Sequence, residues 1–342
     1  MAGHPSKTKS LDVWMNGELV GRWDHSSTTV HSFRYDVSWL HNPRGRPLSL
    51  SLPWPNETRP FTGKLVENYF DNLLPDSPTI RSRLAARFGV NASSAFELLG
   101  AIGRDCVGAV QLLPAGTPAP DVKRIDATRL TTADIEKLID DTMSGKRIEG
   151  PDEDGLRIAL PGDHEKIALL QHLGRWCRPN GATPATHLLK IPSAARGEQR
   201  ADPFNLIENE WLCAKIAQAY GLPVADCRME TFGRHKTLVV ERFDRRKLDT
   251  WCVRLPQEDF CQVKGLSSAQ KYEEKGGPGI DDILDTLRGS ENAKVDRTNV
   301  SGQPFHANRS RIYGKATFSG NNSSIRLLGQ AGNFSSVSFS HA

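Results

Sequence analysis

Apolar and polar positions fall into blocks of two kinds along this chain, short runs that alternate with a period of two and longer runs that repeat every three to four residues. Asp12 to Gly21 (DVWMNGELVG) is two strand-like runs around Asn16-Gly17, a pair suited to the positive φ of a tight hairpin. Leu48 to Leu52 alternates as a strand and stops at Pro53. Lys64 to Leu74 carries Leu65, Tyr69 and Leu73 at helical spacing. Ser77 then caps a second helix with Pro78 at its first position, Ile80, Leu84 and Phe88 form its apolar stripe, and Gly89 ends it. Ser93 to Ile102 predicts a third helix, and Val107 to Leu113 a strand that closes a first domain. Pro114 to Pro120 (PAGTPAP) has the composition of a linker. Thr131, with Asp134 three residues on, starts a helix that packs Ile135, Leu138 and Ile139.

Gly155 to Pro192 organises the second half. Residues 157–160 alternate as a strand, Pro161-Gly162-Asp163 is turn chemistry, and Lys166 to Gln171 reads as the return strand of a hairpin. A second hairpin is predicted to turn at Pro179-Asn180-Gly181 and to end in His187 to Pro192, an apolar strand with a single lysine, Lys190. Arg196 to Pro203 reads as a polar loop. Asn209 to Tyr220 is an amphipathic helix with Leu212, Ile216 and Ala219 on one face, and Lys236 to Phe243 is a buried strand that runs to a polar edge at Glu241. A turn with free backbone N–H groups beside a strand lysine is how protein-kinase-like folds hold a nucleotide's phosphates. A lone strand lysine is more often solvated, and both readings of Lys190 stand at this point. Glu210 is either its partner or an acid favoured in a helix's first turn.

Composition narrows the class. The 342 residues suffice for about two domains, and no run of about 18 apolar residues suggests a membrane span. With a short, polar start and no visible signal peptide, the expectation is a soluble, cytoplasmic protein without a membrane partner. Six cysteines form no C-x-x-C pair, which excludes a zinc knuckle or redox dithiol and predicts reduced, mostly buried thiols. The net charge of +4 is uneven: residues 298–342 hold Arg309, Arg311, Lys315 and Arg326 and no acid, so the body is neutral and the excess sits in a Ser-, Gly- and Asn-rich tail. There is no H-E-x-x-H, G-x-S-x-G or G-x-x-x-x-G-K-[ST].

Several strings are more specific: FDNLLPDSP (Phe70 to Pro78), IGRDCVGAV (Ile102 to Val110), EKIALL (Glu165 to Leu170), TPATHLLKIP (Thr183 to Pro192), VERFDRR (Val240 to Arg246), RLPQEDFCQ (Arg254 to Gln262) and KYEEKGGPGI (Lys271 to Ile280). Together they resemble the HipA family, serine/threonine kinase toxins of bacterial type II toxin–antitoxin pairs, collinearly from about Leu11 to Arg297. The resemblance implies an α+β chain: a disordered start at 1–10, an amino-terminal domain over 11–114, a linker and helix over 115–150, and a kinase core over 151–297 comprising an N-lobe of antiparallel sheet with helices and the start of a C-lobe. It implies use of ATP with Mg²⁺, a translation component such as an aminoacyl-tRNA synthetase as target, and a HipB-type helix-turn-helix antitoxin that brings operator DNA. By position, the phosphate loop becomes Pro161, Gly162, Asp163, His164, Glu165 and Lys166. Lys190 becomes the phosphate-binding lysine, with Glu210 its possible partner, and Glu241, Arg242 and Phe243 become the adenine-side segment.

The chain departs from that family pattern twice. Its loop reads Ala159-Leu160-Pro161-Gly162-Asp163-His164, in which Ala159 replaces the autophosphorylated serine of relatives and Asp163 sets a carboxylate near a triphosphate, a repulsion of about 1 kcal/mol per unit charge in water. Neither the Asp-Gly-His-x-Lys-Asn run nor the later Tyr-Asp pair that supply the base and the metal-binding acid is present, and nothing after Asp296 is acidic. The expectation is that no catalytic or metal-binding carboxylate is intact, that the C-lobe is largely missing, and that 298–342 is an irregular low-complexity tail with at most weak nucleic-acid contact. The functional expectation is therefore a HipA-like kinase toxin impaired in transfer, with an inactive, antitoxin-binding homologue or a non-functional remnant as the alternatives.

Overall fold

The computed structural model describes residues 9–26, 30–55, 59–144, 158–191, 206–290 and 292–301, and short backbone segments between 315 and 336. The first domain is an antiparallel sheet with helices on one face. Strands β1 (Lys9–Met15), β2 (Glu18–His25) and β3 (His31–Tyr35) lead to helix α1 (Val37–Leu40), β4 (Phe61–Thr62), helices α2 (Lys64–Asp71), α3 (Pro78–Phe88) and α4 (Ala95–Ile102), and β5 (Val110–Pro114). The strands lie in the order β4-β3-β2-β1-β5. Asn16 and Gly17 take φ of 49° and 85°, as the β1–β2 turn requires. The helices bury a core around Trp23, which stacks on Phe70 at 4.1 Å and meets Phe96 edge-on at 4.8 Å. Ser77 and Gly89 bound α3 as capping chemistry predicts.

The second unit is a six-stranded antiparallel sheet. Its elements are β6 (Ala127–Arg129), helix α5 (Thr132–Ser144), β7 (Lys166–His172), β8 (Arg175–Pro179), β9 (His187–Lys190), helix α6 (Leu206–Ala219), β10 (Cys227–Phe232) and β11 (His235–Glu241), with strand order β10-β11-β9-β7-β8-β6. Helix α5 packs Ile135, Leu138 and Ile139 onto one face of the sheet, against Ile167, Leu169, Leu189 and Val239. Helix α6 covers the other through Ile207 and Ala214 against Leu238 and Val240. Beyond the sheet come β12 (Arg245–Lys247), β13 (Cys252–Arg254), β14 (Gln257–Asp259) and helices α7 (Phe260–Lys264), α8 (Ile280–Thr286) and α9 (Ala293–Ser301). Phe260, Val263, Ile283, Leu287 and Val300 give these helices a small core of their own.

Several expectations need correction. Residues 48–52 form bends, because the hydroxyls of Ser49 and Ser51 bond to Glu258 and to the Gln262 carbonyl, so the alternating pattern serves docking and no ladder forms. Neither hairpin of the second unit forms as predicted. Ile158 makes a single parallel bridge to Asp105, and β7 turns into β8 at Leu173-Gly174, whose φ of 49° and 73° suit a two-residue turn. Strand β9 lies on the far side of β7, between it and β11, because strand partners are chosen by tertiary packing. Leu212 is exposed, since α6 is rotated to turn Ile207, Glu210, Ala214 and Ala217 inward. The linker packs: Gly116 N–H donates to Asp12, and Val122 is buried beside Gly17. In the tail, four backbone strands are assigned where an irregular segment is predicted: β15 (Lys315–Ser319), β16 (Ser324–Ile325), β17 (Leu328–Gln330) and β18 (Phe334–Ser336). β15 pairs antiparallel with β14, whose backbone edge accepts a partner without requiring an apolar pattern. The Arg196 to Pro203 loop lies outside the described residues. All six cysteines are free thiols, and all but Cys213 are buried. Among the described residues no helix is long and apolar enough to cross a membrane.

Candidate functional site

A cleft opens where β7 and β9 meet the segment that leaves β11. Leu160, Pro161, Lys166, Leu188 and Lys190 line its sheet side, Val107 comes from the first domain, and Arg242, Phe243, Asp244 and Gln257 close it opposite. Lys166 and Lys190 are cross-strand partners, so both side chains leave the same face of the sheet. Two like charges at such positions repel, and each is given its own acceptor. Lys190 is ion-paired with Glu210 of α6, both side chains being buried, and Lys166 Nζ donates to the Pro161 carbonyl at 2.6 Å. Removing either member of a buried pair leaves an uncompensated charge, so Lys190 and Glu210 fix each other's place.

The predicted loop residues part ways. Pro161 and Lys166 line the cleft, whereas Asp163, His164, Glu165 and Glu241 do not. Gly162 has a φ of 115°, which a side chain would strain, and its carbonyl accepts from Asp76 N–H at 3.2 Å. Asp163 is exposed and accepts from the Tyr272 hydroxyl at 3.0 Å, and Glu165 is buried against Arg83 of α3. Burial lowers the pKa of His164 against the opposing pull of Glu210, which keeps the imidazole neutral near pH 7. On the opposite wall two amides of the predicted adenine-side segment are taken, Glu241 N–H by Asp226 and Arg242 N–H by Thr186. Sequence reasoning missed Val107, Leu160, Leu188, Asp244 and Gln257 as lining residues. All but Leu160 lie in one of the specific strings, which was the available signal.

Behind the cleft runs a seam of buried charge between the first domain and the rest. Asp105 accepts from Arg245 at 2.9 Å, Arg254 at 3.0 Å, Arg242 at 3.3 Å and Ala185 N–H at 3.1 Å. Asp244 accepts from Arg242 at 2.9 Å and from Gly108 N–H at 2.7 Å. Burial acts to raise both carboxyls, and the guanidiniums outweigh it and hold each below the usual range. The carbonyls of Cys106 and Gly108 take further N–H donors of Arg242 and Arg245, and burial pushes the Cys106 thiol up to about 12. The seam continues through the ion pair of buried Lys271 with half-buried Asp76. Asn72 donates to the Leu266 carbonyl at 2.9 Å, and Asn16 brackets the backbone of Arg254, donating to its C=O at 2.8 Å and accepting from its N–H at 2.9 Å.

The second unit is thus a six-stranded antiparallel sheet that carries a buried lysine–glutamate pair and is joined to a separate sheet domain. Residues 11–113 match the HipA N-terminal domain, and residues 158–302 match the HipA-like C-terminal domain. The chain is 34% identical over 286 residues to Y4mE of Sinorhizobium fredii strain NGR234, covering 81% of this chain and 64% of that protein. It is 28% identical over 282 residues to the serine/threonine-protein kinase toxin HipA of Shewanella oneidensis MR-1, covering 81% and 60%. It thus spans about three fifths of the length of these curated relatives. The solved complex of Shewanella oneidensis HipA with HipB and its operator DNA shares the fold, with a TM-score of 0.71 at 21% identity over 97% of this chain and 75% of that one. The chain belongs to the HipA family.

Proposed function

We propose that the cleft is the ATP site of a HipA-type serine/threonine kinase toxin. The observation that carries this is the buried Lys190–Glu210 pair at the mouth of the glycine turn, which presents a fixed cation where phosphates would lie. In this reading Lys190 and Lys166 meet the phosphates, the turn at Pro161-Gly162 covers them, and Phe243 packs at the adenine side. Magnesium, when bound with ATP, would neutralise phosphate charge. The acid that lines the cleft, Asp244, fits it poorly, because Arg242, Arg245 and Gly108 N–H already occupy its oxygens.

Transfer needs a carboxylate to orient the accepting hydroxyl. Residues 297–342 contain no Asp or Glu, and Asp281, Asp282 and Asp285 are exposed on α8. The lining of the cleft supports binding of nucleotide, and its lining acid, Asp244, being held by arginines supports impaired transfer. The complex formed by the Shewanella relative supports a HipB-type antitoxin, with operator DNA reached through it, as the partner.

The test is titration with a fluorescent ATP analogue together with a radiolabelled-ATP transfer assay. We expect saturable binding that Lys190→Met weakens at least tenfold, and little or no transferred label. A wild-type protein that does not bind the analogue ends the nucleotide reading. Efficient labelling that Lys190→Met abolishes ends the impairment reading.

A further inference from the structure

The loop that would meet the phosphates carries two carboxylates, Asp163 and Glu165, on either side of His164. Both are engaged from outside the lobe. Glu165 is paired with Arg83 of the first domain, and Asp163 accepts from the Tyr272 hydroxyl of the segment that follows α7. The neighbouring Lys271 is locked to Asp76, whose own N–H holds the Gly162 carbonyl, so Tyr272 stands on a fixed base beside the turn. Asp163 is exposed and absent from the cleft lining, whereas Pro161 and Lys166 on either side of it are part of that lining. A carboxylate free to swing inward would sit near the phosphates' charge and oppose binding.

We propose that Tyr272 is a positioning residue for the phosphate loop: its hydroxyl tethers the Asp163 carboxylate on the outer side of the turn and so keeps a negative charge out of the nucleotide site. This rests on the nucleotide reading of the cleft and deepens it. The tether answers the departure at Asp163, because an acid that is hydrogen-bonded outward need not weaken the site.

The test uses the full chain with Tyr272→Phe, Asp163→Asn and the double variant. In titrations with a fluorescent ATP analogue, Tyr272→Phe is expected to weaken binding about five- to tenfold at low salt, with the difference shrinking as salt rises. Asp163→Asn should bind within about twofold of wild type, because the tether already holds the charge outward, and adding Tyr272→Phe to it should change affinity by less than about twofold. A Tyr272→Phe loss that persists undiminished in the Asp163→Asn background overturns the proposal. Amide hydrogen exchange of the unliganded protein reads the tether independently: amides of residues 162–166 should exchange faster in Tyr272→Phe, and unchanged exchange overturns it. Should wild type bind no analogue, the nucleotide reading fails, while exchange still decides the tether.

Discussion

The seam and the cleft both bury charge, and they treat it differently. At the seam Asp105 and Asp244 have their oxygens filled by arginines and backbone N–H groups drawn from both sides of the domain boundary. At the cleft Lys190 pairs with Glu210 and Lys166 donates to the Pro161 carbonyl, contacts made within the lobe. A network that spans two domains stabilises one arrangement of them against every other, whereas contacts within one lobe shape that lobe alone. The difference separates what holds the two domains together from what shapes the cleft.

The comparison breaks first at Asp105. Asp105→Ala should cost about 3–5 kcal/mol, since it strands guanidiniums of Arg242, Arg245 and Arg254 in a buried site. Urea unfolding reads this, and Asp163→Ala at the exposed loop should stay within about 1 kcal/mol of wild type. An equal loss at the two positions would erase the distinction.

Glu258 sharpens the comparison through pH. Its carboxyl is buried against Ser49 and the Leu50 N–H, and burial, with Asp259 adding to it, raises its pKa from 4.5 to about 8. Between those values the folded chain holds the proton and the unfolded chain does not. Its contribution is therefore present in full below pH 4.5 and is lost as pH rises to about 8, a change on the order of a few kcal/mol. The depressed carboxyls of Asp105 and Asp244 act with the opposite sign at the acid end, where stability falls as they protonate. Between about pH 6.5 and 8, above the range in which the buried histidines take up protons on unfolding, unfolding midpoints should fall more steeply in wild type than in Glu258→Gln.

The smallest effect lies far from both regions. Leu173 is 86% exposed with a positive φ at the β7–β8 turn, so Leu173→Asn should raise stability by about 0.5 kcal/mol, a rise of a few degrees or less in Tm by calorimetry.

Local chemistry was legible in the sequence. Asn16-Gly17, the Ser77-Pro78 to Gly89 frame and the Thr131–Asp134 cap all lie where residue preferences put them, because each depends on neighbours within a few positions. Strand partnership was not legible. Nothing near His187 to Lys190 says that it joins β11 and β7 while β8 pairs elsewhere, and the face of α6 was misjudged because an acid, Glu210, points inward to meet Lys190. The resemblance placed Lys190 and the turn side by side, and it was silent on the seam. The seam's members stand 137 residues apart in the case of Asp105 and Arg242, and the one hint was a lone acid inside the apolar run Ile102 to Val110.

The bracket that Asn16 places around Arg254 bears on how such proteins can be recombined. It reads only main-chain atoms and would tolerate many residues at position 254, but the guanidinium there is claimed by Asp105, so sequence freedom granted by one contact is withdrawn by the other. A chimaera that takes its first domain from one relative and its lobe from another must inherit the aspartate and its arginines as a set, or carry an orphaned ion in its interior.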